Sequence, residues 1–201
     1  MLETMIEEYV ETLRTLTLDI FAYTLTIPDS GQLTSAEAIR RLRSAPLTQP
    51  AGPPGPYDTD GDEDLMLIAI DNGIVTLDGI NPDPDRKEVT DRLAGQGLRH
   101  WYIAQDVEGN GTLYVRYGDA EGEVQCPEPL ANPSTPWTEF LGPLTPYASL
   151  LASLYDDREL ERDATAIFLA IIEHESGVRF NEALLARPRL IVPVDPHRPI
   201  V

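Results

Sequence analysis

The sequence predicts an α+β fold: a mostly antiparallel β-sheet of meanders and hairpins, with a long C-terminal helix and an N-terminal helix packed on it. Three observations carry that expectation. Period-two runs of β-branched and aromatic residues recur at 16–27, 74–77 and 100–126. The segments between them include Asn72-Gly73, Gly109-Asn110-Gly111 and Gly118-Asp119, short turn sequences that suit antiparallel neighbours. Apolar residues at helical spacing occupy both ends of the chain, at 2–13 and 157–176.

The first element is helical. Leu2, Met5, Ile6, Tyr9, Val10 and Leu13 repeat at helical spacing, with Glu3, Glu7, Glu8 and Glu11 on the other face. The period then shortens. Leu16, Leu18 and Ile20 alternate with Thr and Asp, and Phe21, Tyr23, Leu25 and Ile27 alternate with Ala and Thr, so a strand follows. The helix-to-strand boundary falls near Thr15, and Pro28-Asp29-Ser30-Gly31 ends the strand. Thr34 and Glu37 stand at capping-box spacing and open a short helix through Ile39 and Leu42. Residues 45–64 hold Pro46, Pro50, Pro53, Pro54 and Pro56 with Gly52 and Gly55, which suit neither a helix nor an inner strand. They predict a mobile, exposed loop inside a single domain spanning 1–201, because the segment before them is too small to fold alone.

Residues 65–70 are continuously apolar, the pattern of a strand covered on both faces or near the sheet centre. Asp71-Asn72-Gly73 predicts the positive-φ residues of a tight hairpin, and 74–77 return. Asn81-Pro82-Asp83-Pro84-Asp85 leads into a short helix over 87–93, ended by Gly95 or Gly97. A meander follows, with strands at 100–107, 112–117 and 123–126. Residues 127–146 are Pro-rich and irregular, with Trp137 and Phe140 as anchors. Thr145-Pro146 starts a helix carrying Leu150, Leu151 and Leu154. Asp156 and Asp157 cap the long helix 157–176, whose buried stripe is Leu160, Ala164, Ile167, Phe168 and Ile171. That helix is expected to lie across the sheet as one half of a two-layer packing. Asn181 caps a further turn through Leu184 and Leu185, residues 191–194 add an edge strand, and four prolines after Ala186 leave 195–201 as an extended tail.

Two stretches carry a resemblance. One is YTLTIPDSGQLTSAEAIRRL from Tyr23; the other is HESGVRFNEALLARPRLIVPV from His174. Between them lie the Asn72-Gly73 hairpin and the meander GNGTLYVRYGDAEGEV. Together, across most of the chain, they resemble the actinobacterial domain-of-unknown-function family numbered 6461. The resemblance implies an α+β fold and a bacterial cytosolic setting. It implies no catalytic residue and no substrate.

Composition narrows the function classes. The 201 residues include 15 Lys and Arg against 34 Asp and Glu, a formal charge of -19. Such a field repels nucleic acid and anionic membranes and attracts basic partners. An apolar fraction of 42% suffices for a real core, so the acidity is not that of a disordered tail. Cys126 is the only cysteine, so neither an intrachain disulfide nor a thiolate metal cage is available. The acidic start MLETMIEEYVE is unlike a secretory signal, no apolar run has the length of a membrane span, and a cytoplasmic location is expected.

No motif for catalysis, cofactor or metal binding is complete. Asp58, Asp60, Asp62 and Asp64 alternate around Gly61, a spacing that suits Ca²⁺, but the EF-hand register puts Glu63 at the sharp-turn glycine and Ala69 at the bidentate glutamate. These acids read instead as a solvated loop. His174 lies between Glu173 and Glu175, but Val178 stands where a zinc protease needs its second histidine. His100 precedes Trp101 on the strand face opposite the expected core, without a serine or cysteine nucleophile motif, and His197 lies in the tail. Gly95-Gln96-Gly97 begins a dinucleotide fingerprint that His100 breaks. Arg40, Arg41 and Arg43 form a small basic patch, and Trp101, Tyr102, Tyr114 and Tyr117 could line a groove or simply pack in the sheet. Three function classes follow. The first is a non-enzymatic acidic module, of immunity or regulatory type, that binds a basic protein partner through an interaction surface including Asp58, Asp60, Asp62, Asp64, His100, Tyr102 and Tyr114. The second is a small hydrolase or ligand-binding enzyme using His100 or His174 with nearby carboxylates. The third is a nucleic-acid mimic, which needs the acids at 3–11, 58–64 and 156–163 to line one face.

Overall fold

A computed structural model describes residues 2–16, 21–42, 64–78, 85–106, 110–127, 135–156 and 164–193. The expected loop up to residue 63 and the tail at 195–201 lie outside these residues. The described strands are β1 (Phe21–Pro28), β2 (Asp64–Ala69), β3 (Ile74–Asp78), β4 (Leu98–Gln105), β5 (Gly111–Tyr117), β6 (Ala120–Cys126) and β7 (Arg189–Pro193). They form one sheet in the order β6-β5-β4-β1-β3-β2-β7, with every neighbouring pair antiparallel. The predicted α+β class with an antiparallel sheet is therefore observed.

β1 is central because both of its faces are suited to burial. Tyr23, Leu25 and Ile27 point one way, Ala22, Thr24 and Thr26 the other, and all six are buried. The hairpin β2–β3 docks on one side of β1 and the meander β4–β5–β6 on the other. β7 pairs with β2 at the edge, where a strand flanked by Pro188 and ending at Pro193 is tolerated.

The described helices are α1 (Leu2–Leu16), α2 (Ser35–Leu42), α3 (Asp85–Asp91), α4 (Ala148–Asp156), α5 (Ala164–Ser176) and α6 (Glu182–Leu185). One sheet face carries Leu25, Trp101, Ile103, Leu113 and Val115, and α5 lies on it across β4 and β5. α1 packs in turn on α5 through Ile6, Tyr9 and Leu13. The first correction concerns α5. It is not an amphipathic helix with one buried stripe: all nine residues from 164 to 172 are buried. With the sheet beneath and α1 above, no face of 164–172 is left for solvent, and the last turn, 173–176, is polar. The part of the expected helix at 157–163 lies outside the described residues.

The second correction concerns the layers. The sheet is covered on both faces, not one. Leu33, Ala38 and Leu42 around α2 and Val89 and Leu93 around α3 pack on Leu65, Leu67, Ile74 and Val192. The continuous burial of Leu65–Ile68 in β2 and of β3 follows from this second cover, since Leu65 and Leu67 face α2 while Met66 and Ile68 face the α1–α5 core.

Smaller expectations shift too. Leu16 ends α1 and does not begin a strand, while 17–20 lie outside the described residues. Residues 120–122 pair with β5 and are not part of a long loop, because Gly118 at φ 62 turns the chain within Gly118-Asp119. Gly73 is not among the positive-φ glycines. Its requirement is space: a Cβ there would stand 2.4 Å from the Thr26 carbonyl oxygen. The cap of α2 is as read, with the Glu37 amide donating to Thr34 Oγ1 at 3.3 Å.

Candidate functional site

The second sheet face holds the residues singled out on β4 and β5. His100 stands between Thr26 of β1 and Arg116 of β5. Its ring is fully buried, Nδ1 lies 2.8 Å from Thr26 Oγ1, and Nε2 has no hydrogen-bond partner among the described residues. Burial first, and the Arg116 guanidinium second, push its pKa down to about 3, so the imidazole is neutral. Next to it, Tyr102 pairs across the ladder with Tyr114, and both are buried. Tyr114 Oη donates to Asp91 at 3.2 Å, and burial followed by the Asp91 charge raises its pKa. Arg116 Nη1 donates to the same carboxylate at 2.6 Å. Lys87 sits 4.2 Å over the Tyr114 ring and pairs with Glu123. Thr24 and Thr76 share a hydrogen bond of 2.5 Å one strand over.

The structure thus brings His100, Tyr102 and Tyr114 together but beneath the surface. As an exposed interaction patch the three do not exist, because α3 is fastened over this face by Lys87 and Asp91. A general base must reach a substrate proton, and a fully buried imidazole reaches none. The cluster is a satisfied polar layer in which His100 Nε2 is the exception. Sequence reasoning named His100 and the tyrosines but missed Lys87, Asp91 and Arg116. Asp91 and Arg116 stand 25 positions apart, and nothing local in the sequence signals that they meet.

The other histidine with a partner is at the end of α5. His174 is exposed, and its Nδ1 lies 2.8 Å from Tyr147 Oη, whose single proton goes to Glu175. Burial and then the bond to Glu175 raise the Tyr147 pKa, so the phenol is a donor and not a nucleophile. Glu173 accepts a 2.7 Å bond from Tyr9, whose oxygen accepts from the Phe180 amide at 3.1 Å. These contacts fasten α5 to α1 and to the 3₁₀ helix Gly142–Tyr147. The cavity beside them, of about 390 Å³, is lined by Ser176, Gly177, Asn181 and Arg187 and does not include His174.

The remaining candidates divide. Asp58, Asp60, Asp62, Arg43 and His197 lie outside the described residues, and Asp64 opens β2 opposite Pro193. Arg40 and Arg41 both donate to Glu37, at 2.7 and 2.9 Å, and Arg41 reaches the Ala94 carbonyl at 3.3 Å. Arg41 therefore ties α2 to the turn after α3, while Arg40 stays on the exposed face of α2. Those bonds, Arg40 first, lower the Glu37 pKa to about 2. Burial raises the Cys126 pKa, the opposite of an activated thiol. Among the described residues no group of three or more His, Cys, Asp or Glu could hold a metal ion, and no helix is long and apolar enough to cross a membrane.

The solvent face of α1 is rich in carboxylates. Glu3, Glu7 and Glu11 are exposed at one-turn intervals along α1, and none makes an ion pair among the described residues. Among the described residues Glu8 is the glutamate of this helix that makes an ion pair, with Arg179. Beside them a groove of about 400 Å³ runs between α1 and α6, lined by Glu11, Thr12, Thr15, Leu16, Glu182 and Ala183. In comparisons with known proteins, no family model, no curated protein and no solved structure matches this chain.

Proposed function

We propose that this chain is a cytosolic, non-enzymatic interaction module that binds a basic protein partner, as immunity-type or regulatory binders do. The observation that carries the reading is the uncompensated row Glu3, Glu7 and Glu11 on α1, in a chain of formal charge -19. Like charges one turn apart cost a helix roughly 0.2–0.5 kcal/mol per pair. A cationic surface would turn that repulsion into attraction and speed encounter. Of the two histidines considered for catalysis, one is fully buried and the other is bonded to Tyr147, so the enzyme reading gains no support. The nucleic-acid mimic needs acids at 58–63 and 157–163 that lie outside the described residues, and no observation favours it. Membership of the family numbered 6461 is part of the same proposal, and it lends no activity.

Affinity capture with the full chain from its native host, followed by salt titration of the captured complex, tests the reading. Recovery of a basic protein whose affinity falls steeply with salt supports it. A clean monomer that retains no basic protein overturns it.

A further inference from the structure

The groove between α1 and α6 gives the proposed module a specific contact, one that rests on the reading of the chain as a binder of a basic protein. The groove combines two chemistries. Leu16 and Ala183 provide apolar surface. Thr12 and Thr15 add to it, because their hydroxyls donate to the carbonyls of Glu8 and Glu11 at 2.9 Å and what they offer a ligand is chiefly methyl surface. Glu11 and Glu182 provide the second chemistry: both are exposed carboxylates without an ion pair among the described residues. α6 is held in place by its own cap, Leu184 N to Asn181 Oδ1 at 2.9 Å, and by Leu184 buried in the core. The Phe180 amide, bonded to Tyr9, ties the same segment back to α1. The two walls are therefore preformed.

Apolar surface flanked by two exposed carboxylates suits one kind of side chain, an aliphatic stem with a cationic head. The groove, about 400 Å³, is open to solvent along its length, so the end of a side chain can enter it without a rearrangement of its walls. We propose that this groove receives an arginine or lysine side chain of the basic partner, with the stem on Leu16 and Ala183 and the charge between Glu11 and Glu182. The exposed Glu3 and Glu7 steer the partner toward it without contacting that side chain.

A short labelled peptide of alternating Arg and Leu is the probe, titrated into the full chain by fluorescence anisotropy and by amide NMR. Shifts concentrated at Thr12, Leu16 and Ala183 are expected. The pair Glu11→Gln and Glu182→Gln weakens binding about tenfold, since two partly exposed ion pairs are lost. Ala183→Trp, which fills the groove and leaves the charge unchanged, weakens it comparably. Glu3→Gln with Glu7→Gln removes the same charge from α1 outside the groove and has a clearly smaller effect. Equal losses from the two glutamate pairs, or no shifts at the groove residues, overturn the groove while leaving the module intact. Failure of the module shows separately, as the absence of any captured basic protein. Self-association of the unmodified chain that Ala183→Trp abolishes would assign the groove to a second copy and also overturn the proposal.

Discussion

His100 should make the protein sensitive to acid in a way that one substitution removes. In the folded state its pKa is about 3, while an unfolded histidine titrates near 6.5. The folded pKa of this base is depressed, so its contribution to stability is fully present above about pH 6.5 and is lost as the pH falls toward 3. Within that window the loss approaches about 1.4 kcal/mol per pH unit. Between about pH 7 and about pH 5 the unfolded state gains roughly 2 kcal/mol from protonation that the buried ring does not share. The carboxylates complicate a raw pH curve, since protonating them relieves the repulsion of a chain at -19. His100→Gln cancels that background. Urea unfolding, followed by the fluorescence of Trp101 and Trp137, gives the stability of both proteins at both pH values. The native chain should lose about 2 kcal/mol relative to the variant on acidification. An unchanged difference between the two proteins would show that the folded ring takes up a proton freely, and the argument from burial would be wrong.

Three further outcomes follow from packing. Phe168→Ala empties a fully buried position between α5 and the sheet and should cost about 3–5 kcal/mol in the same unfolding assay; a loss below about 1 kcal/mol would place Phe168 outside the core. Gly122→Ala puts a Cβ 2.0 Å from the Leu141 carbonyl oxygen, so β6 and the 3₁₀ segment must separate. It should destabilise by about 1–3 kcal/mol or more, visible as a lowered Tm, and an unchanged Tm would mean that the segment is loosely docked. Tyr9→Phe removes the hydroxyl that joins α1 to Glu173 and to the Phe180 amide, and a cost of about 1–3 kcal/mol is expected. Hydrogen exchange at Phe180 should accelerate in that variant, whereas protection equal to that of the native chain would remove Tyr9 as the link.

Many of the elements were legible because their causes are local. Capping at Thr34 and Asn181 and the alternation through Tyr23, Leu25 and Ile27 each depend on neighbours a few residues away. The candidate site was legible only as residue types. His100, Tyr102 and Tyr114 were named as a surface, yet whether a strand face is open depends on what covers it. α3 covers it through Lys87 and Asp91, and their partners Glu123 and Arg116 are far along the chain. The acidic row Glu3, Glu7 and Glu11 was visible in the sequence, but the groove beside it was not, because Glu182 belongs to the other end of the chain.

The sequence by itself determined the fold class, most strands and helices, and the sign of the electrostatic field, since composition and short-range periodicity suffice for each. Only the tertiary structure decided that β1 is central, that helices cover both faces of the sheet, and that α5 is buried all round. Periodicity reports which residues of an element could face a core. Which element supplies the opposing surface is a long-range choice, made by strand order and by the burial that order permits.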